Sequence, residues 1–356
     1  IEITYNAFEV PGESVEILVD VVGFYVAGGA GGGPAGPAGP QGPAGAAGTQ
    51  GPAGSQGAVG PAGPPNRISD EQIAMLQWYE DPGAATTVPL GPNPTGIAFD
   101  GSDIWVAASN AVVRVDPVTG GMTAIVVVGS SPIDLAFDGS YIWVSNRNSD
   151  TVSKVNPEST SVAATVPVGE NPIGVAFDGS HIWVANNESN SLSKIDPTTN
   201  VVVADVVVGP LSRYMAYDGS HLWVSHGANQ LSKIDPATNT VIDSVTVGST
   251  PYGVAFDGTS VWVANADSGS LSKVDPTSNS VVGSVAVGFL PFGVAFDGSS
   301  IWVTNFDSGT ASKVDPATLS VVATVPIGEK PQGVAFDGTN IWVTSFGANT
   351  LSKLLP

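Results

Sequence analysis

The chain has three histidines, His181, His221 and His226, and no cysteine. Acid–base or nucleophilic chemistry near neutral pH would therefore run first through these imidazoles. Their placement argues against it. His181 and His221 directly follow the turn sequences Asp178-Gly179-Ser180 and Asp218-Gly219-Ser220, and His226 stands alone. A working site needs a base beside a hydroxyl or a paired acid, and the sequence offers neither a Gly-rich phosphate loop nor a metal-ligand cluster. The acidic, Asn-rich stretches Asn187-Glu188-Ser189-Asn190 and Asp267-Ser268-Gly269 lack the ligand spacing of a calcium loop. No catalytic residue, cofactor or metal is expected.

The elements that would position any site belong to a repeat. An Asp-Gly pair recurs with Asp at 100, 138, 178, 218, 257, 297 and 337, and five residues after each Asp stands Trp105, Trp143, Trp183, Trp223, Trp262, Trp302 or Trp342. Each copy divides into four short alternating runs bounded by turn residues, the pattern of strands. In the copy from Asn171 to Gly209 the spacing predicts strand A at Ile173–Phe177, B at His181–Ala185, C at Ser191–Ile195 and D at Val201–Val208. Pro89, Pro167 and Pro326 fall only within D-type strings, and a strand that tolerates proline is an edge strand, so D is outermost and A innermost. Four-stranded units of this length are blades, and seven of them close a ring around a channel. The chain ends on a strand C, whereas the repeats open at Ala85–Gly91 with a strand D, so that first strand completes the last blade.

The AFDG-x-x-IWVAN and SKxDPxT strings resemble the YVTN-type propeller repeats of secreted bacterial proteins, related in shape to NHL and WD-repeat propellers. The resemblance covers about three quarters of the chain and implies a fold and an extracellular location rather than a function. One propeller group of similar appearance contains antibiotic-inactivating lyases that rely on particular histidines and acids near the channel mouth. No residue here matches them one by one, and a propeller lyase or hydrolase is the weakest of three readings.

A feature present in every blade is structural: the tryptophans pack, the turn aspartates bond their own backbone, and the lysines of the Ser-Lys strings balance nearby acids. Function is expected where a blade breaks the pattern. Most D–A loops read Pro-x-Gly, but blade 4 has Ser212-Arg213-Tyr214, and its B–C loop carries His226 where four other blades carry Asn146, Asn186, Asn265 and Asn305. Blade 2 has Asp134 at the glycine position and Arg147 in its B–C loop. Tyr252, Phe289, Phe292, Phe306 and Phe346 add aromatics to blades 5 to 7 on the same face. Such a patch is a contact surface for protein or sugar.

Before the repeats, residues 1–27 predict two strands that cannot bury enough surface alone. Residues Ile3, Tyr5, Phe8, Ile17, Val19, Val21, Phe24 and Tyr25 would face a partner strand, and the string SVEILVDVVGFYV resembles the closing strand of a β-sandwich in bacterial surface proteins. Residues 28–65 become unbroken Gly-X-Y triplets from Gly33, which suit a collagen-like triple helix or a polyproline II stalk of roughly 100 Å. Residues 66–84 hold a short helix with Ser69 and Gln72 as a capping box, ended by Asp81-Pro82-Gly83. The fold class is all-β: a seven-bladed β-propeller over 85–356, with an N-terminal β-strand segment, a collagen-like or PPII stalk and one short helix.

A formal net charge of −21 disfavours nucleic acid and anionic membranes, and no apolar run is long enough to span a bilayer. Absent cysteines, stability must come from the core. The leading expectation is a secreted, cell-surface structural subunit whose partner is another copy of itself, assembling into filaments through the N-terminal strands. The alternative is a trimeric stalked adhesin for a surface protein or glycan.

Overall fold

The computed structural model describes residues 86–356. The segments 1–27, 28–65 and 66–84, and with them the assembly residues from Ile3 to Tyr25, lie outside the described residues. Within that range every regular element is a strand, arranged as seven antiparallel four-stranded sheets, each in the order A-B-C-D. This is a seven-bladed propeller. Blades 1 to 6 occupy 94–127, 132–167, 172–207, 215–246, 251–286 and 291–326, and blade 7 combines 331–354 with Thr86–Pro89. That last strand lies antiparallel to Thr350–Leu354, Thr86 opposite Lys353 and Pro89 opposite Thr350, so a β-ladder joins the two ends of the ring.

In blade 3 the strands are Pro172–Phe177, Ile182–Asn186, Ser191–Asp196 and Val201–Val207. Five boundaries differ from the expected ones by one residue, two of them for evident physical reasons. Strand A starts on its proline, because the first residue of a strand needs no ladder donor. Strand B reaches Asn186, because that side chain is bonded into the sheet, its Nδ2 donating to Ser193 Oγ at 2.9 Å. Pro89, Pro167 and Pro326 all lie in outer strands.

The core runs between blades. Trp143 of blade 2 packs on Val175, Val184 and Ile195 of blade 3, Trp183 on Met215, Leu222 and Val224 of blade 4, and Trp342 of blade 7 on Ile97, Val106 and Val113 of blade 1. All seven tryptophans are buried, and a buried indole N–H needs an acceptor. The turn aspartate supplies it. In blade 3, Asp178 Oδ1 accepts from Ser180 N and His181 N at 2.8 and 2.7 Å, while Oδ2 accepts from Trp183 Nε1 at 2.7 Å. The expected bonds to their own turn are therefore present, and each aspartate also fixes the tryptophan five residues on.

The strand C lysines carry a correction. They do not chiefly balance acids. Lys194 Nζ lies 5.1 Å from the Trp183 ring centre and donates to Pro236 O of the next blade at 2.7 Å. Lys154, Lys233 and Lys273 reach Pro197, Pro276 and Pro316 in the same way, and Lys353 of blade 7 reaches Pro117 of blade 1 at 2.7 Å. Blade 1 uses Arg114, paired with Asp103 and donating to Pro157 O at 3.3 Å. A cation thus lies against the tryptophan of its own blade and bonds a carbonyl of the next.

Candidate functional site at the channel mouth

Five strands A contain a Pro-x-Gly string whose glycine is dictated by close approach of the next blade. A Cβ on Gly174 would lie 2.4 Å from Arg213 O, and one on Gly293 would lie 2.3 Å from Gln332 O. Blades 2 and 4 place Asp134 and Tyr214 at this position, and both side chains line the throat of the channel, a cavity of about 200 Å³. Asp134 Oδ2 accepts from Val175 N of the next blade at 3.0 Å. Water reaches Asp134, but protein surrounds it, and this burial pushes its carboxyl up to about 7 despite the bonds from Val175 and Leu135. Tyr214 is raised well above the ordinary phenol value, by burial first and the nearby Asp134 second.

Above the throat opens a vestibule of about 360 Å³. The x residue of every blade contributes to its wall: Thr95, Ile133, Ile173, Arg213, Tyr252, Phe292 and Gln332. The residue that follows strand B adds Arg147, Asn187 and Phe346. The mouth is therefore built from two variable positions per repeat on a constant scaffold. Strand A is kept in register in six blades by a bulge after the proline, while in blade 4 it shortens to Met215–Tyr217. The missing proline and glycine leave Ser212 and Arg213 outside the ladder.

A stacked ladder runs around one side of the vestibule. The Arg213 guanidinium lies 4.5 Å from the Tyr252 ring centre, Tyr252 is 4.6 Å from Phe292, Phe292 is 6.1 Å from Phe306, and the Lys330 ammonium is 5.7 Å from Phe306. Tyr214 meets Phe292 edge-on at 5.6 Å. Arg213 is also tied to Pro251 O at 3.0 Å, and Arg147 Nε donates to Asn171 Oδ1 at 2.7 Å. Asp134, Arg147, Arg213, Tyr214, Tyr252, Phe292 and Phe346 thus converge on one mouth, and Phe306 backs them.

Two expected members do not. Phe289 is 78% exposed and lines neither cavity. His226 is no loop residue: it ends strand B of blade 4 and is buried. Its Nε2 shares a hydrogen bond with Ser232 Oγ at 2.8 Å, the separation of a general base and a nucleophile. The other blades explain it. Asn146, Asn265 and Asn305 make the same bond to Ser153, Ser272 and Ser312 at 2.9 Å, so the pair links strands B and C. Burial pulls the His226 pKa down, with Arg213 adding to the effect. Lys330 was missed in sequence, though it stands where Asn171 does in blade 3, just before the proline of strand A.

No family model matches this chain, and no curated protein matches it. Solved structures do. Hydrazine synthase of Kuenenia stuttgartiensis superposes with a TM-score of 0.67 at 20% identity, covering 77% of this chain and 98% of that one. A catalytically inactive virginiamycin B lyase from Staphylococcus aureus with quinupristin gives 0.67 at 16% identity, over 77% and 99%. At such identities the likeness establishes the seven-bladed fold and carries no activity to this chain.

Proposed function

We propose that the chain is an extracellular structural subunit that self-assembles into a cell-surface filament through residues 1–27 and its Gly-X-Y stalk, displaying the propeller as a rigid disc. The observation that supports this reading is the closure of the ring by Thr86–Pro89. All seven sheets are complete from residues 86–356, so the strand-forming sequence of 1–27 is not needed by its own propeller and is available to another copy. The outer strands of the ring offer edges for such pairing: Val201, Val203 and Val207 of blade 3 are exposed, as are Ile125 and Val127 of blade 1. Strand addition at an edge supplies main-chain bonds and side-chain pockets together, and a contact between unlike surfaces that does not close builds a filament. Sedimentation velocity tests it. The intact chain is expected to polymerise and a chain lacking residues 1–27 to run as a small discrete species; equal behaviour of the two overturns the reading.

A second reading, a trimeric stalked adhesin, is supported by the vestibule, a concave surface with converging aromatic and cationic side chains.

A further inference from the structure

The described residues hold seven cations at one strand C position, each lying over the tryptophan of its own blade: Arg114, Lys154, Lys194, Lys233, Lys273, Lys313 and Lys353. The other three, Arg147, Arg213 and Lys330, all belong to the loops of one mouth. On a chain of net charge −21 this gathering is a local inversion of sign. Acids of the same loops, among them Asp150, Glu170, Glu188 and Asp267, do not line the vestibule.

Arg213 lies over the Tyr252 ring at 4.5 Å and Tyr252 is tilted against Phe292 at 4.6 Å, so Tyr252 already engages a cation. The guanidinium groups favour an anion and disfavour a cation. The vestibule also carries groups suited to hydroxyls: the Gln332 amide and the Tyr214 and Tyr252 phenols have no hydrogen-bond partner among the described residues, and below them the Asp134 carboxyl lines the throat. Ile133, Ile173 and Phe346 supply apolar wall. A concave cavity of about 360 Å³ admits a small unit or the end of a chain rather than a flat protein surface.

Resting on the reading of this mouth as a binding face, we propose that the vestibule is a site for a sugar that carries a carboxylate, held with its carboxylate against Arg147 and Arg213 and its hydroxyls turned toward Gln332 and Asp134. Placement fixes this direction, since both guanidinium groups line the vestibule and no cation lines the throat, where the Asp134 carboxyl pairs with a hydroxyl whether it is ionised or protonated. A neutral sugar lacks the charge-assisted bonds, and a plain carboxylic acid leaves the floor unpaired.

The test is titration calorimetry of the intact chain with trigalacturonic acid, its methyl ester and an acidic tripeptide of equal charge. The proposal expects binding of the free acid, weakening with salt, at least tenfold weaker binding of the ester and the peptide, and at least tenfold loss in Arg147→Gln. Arg147 is exposed, so that variant keeps the ring. Equal binding of the ester or the peptide, or an unchanged Arg147→Gln, overturns the carboxylated-sugar assignment. Phe346→Ala separates this from failure of the binding face itself. If some probe binds and Phe346→Ala weakens it, the mouth is a binding face for another ligand class. If no probe binds the folded chain, both the assignment and its basis in the mouth fail.

Discussion

At the residue scale Asp134, a departure from Pro-x-Gly, and His226, a departure from asparagine, have opposite pH signatures. Burial pushes the Asp134 carboxyl from the ordinary carboxylate value up to about 7. Raised above its unfolded value, it contributes stability that is complete below the unfolded pKa and lost as pH rises through about 7. His226 has a folded pKa below its ordinary 6.5, so its contribution is complete above that value and lost as pH falls. Asp134→Asn is therefore expected to raise stability at pH 8 by roughly 1–2 kcal/mol, tempered by the water in the throat, and to do nothing at pH 4. His226→Asn, the residue of four other blades, is expected to remove part of the loss below pH 6 and to change nothing at pH 8. Urea midpoints across pH 4 to 8 check both; a pH-independent effect of either substitution contradicts its assignment. The turn aspartates act on the far acid side. Burial alone would raise Asp257, Asp297 and Asp337, but bonds from tryptophan and turn N–H groups hold them below the ordinary carboxylate value, so their contribution is lost as pH falls below about 4.

At the element scale the repeat was legible because its period, its Asp-Gly turns and its prolines each reflect a backbone constraint. Strand order and ring closure both follow from where proline is tolerated and where strand D is missing. What was not legible is what the constant residues touch across blades, since a lysine spaced like an acid's partner in sequence faces a carbonyl of the next blade in space. The bond from turn aspartate to tryptophan could have been read, for the spacing of five residues is constant and both groups need partners. Position-dependent backbone was also hidden. The residue before the strand A proline has positive φ in six blades, including Asn93 and Asn171 at 57° and 56° but also Leu290 at 52°, and Leu211 at 58° holds the same repeat position in blade 4. Asparagine tolerates this region and leucine does not. Leu290→Asn is expected to stabilise the ring by about 0.5–1 kcal/mol, read as a higher thermal midpoint; destabilisation would mean that Leu290 packing outweighs its backbone strain.

At the scale of the whole molecule, the mouth shows how a rigid ring can vary one surface. Each tryptophan packs on the next blade and is held by its own turn aspartate, and in six blades the strand C cation bonds a carbonyl of the next, leaving the x position and the residue after strand B free to differ. Comparing repeats singled out Asp134, Arg213 and Tyr214 because they break a pattern; it misplaced His226 and Phe289 because a break in pattern does not say which way a side chain points. The same ring stands complete from residues 86–356, and in the proposed assembly the strands expected over residues 1–27 are the joints. Negative-stain electron microscopy of the intact chain at micromolar concentration tests that claim most directly. The account predicts long fibres carrying propeller discs at a regular repeat; discrete particles with three discs on one rod would contradict it.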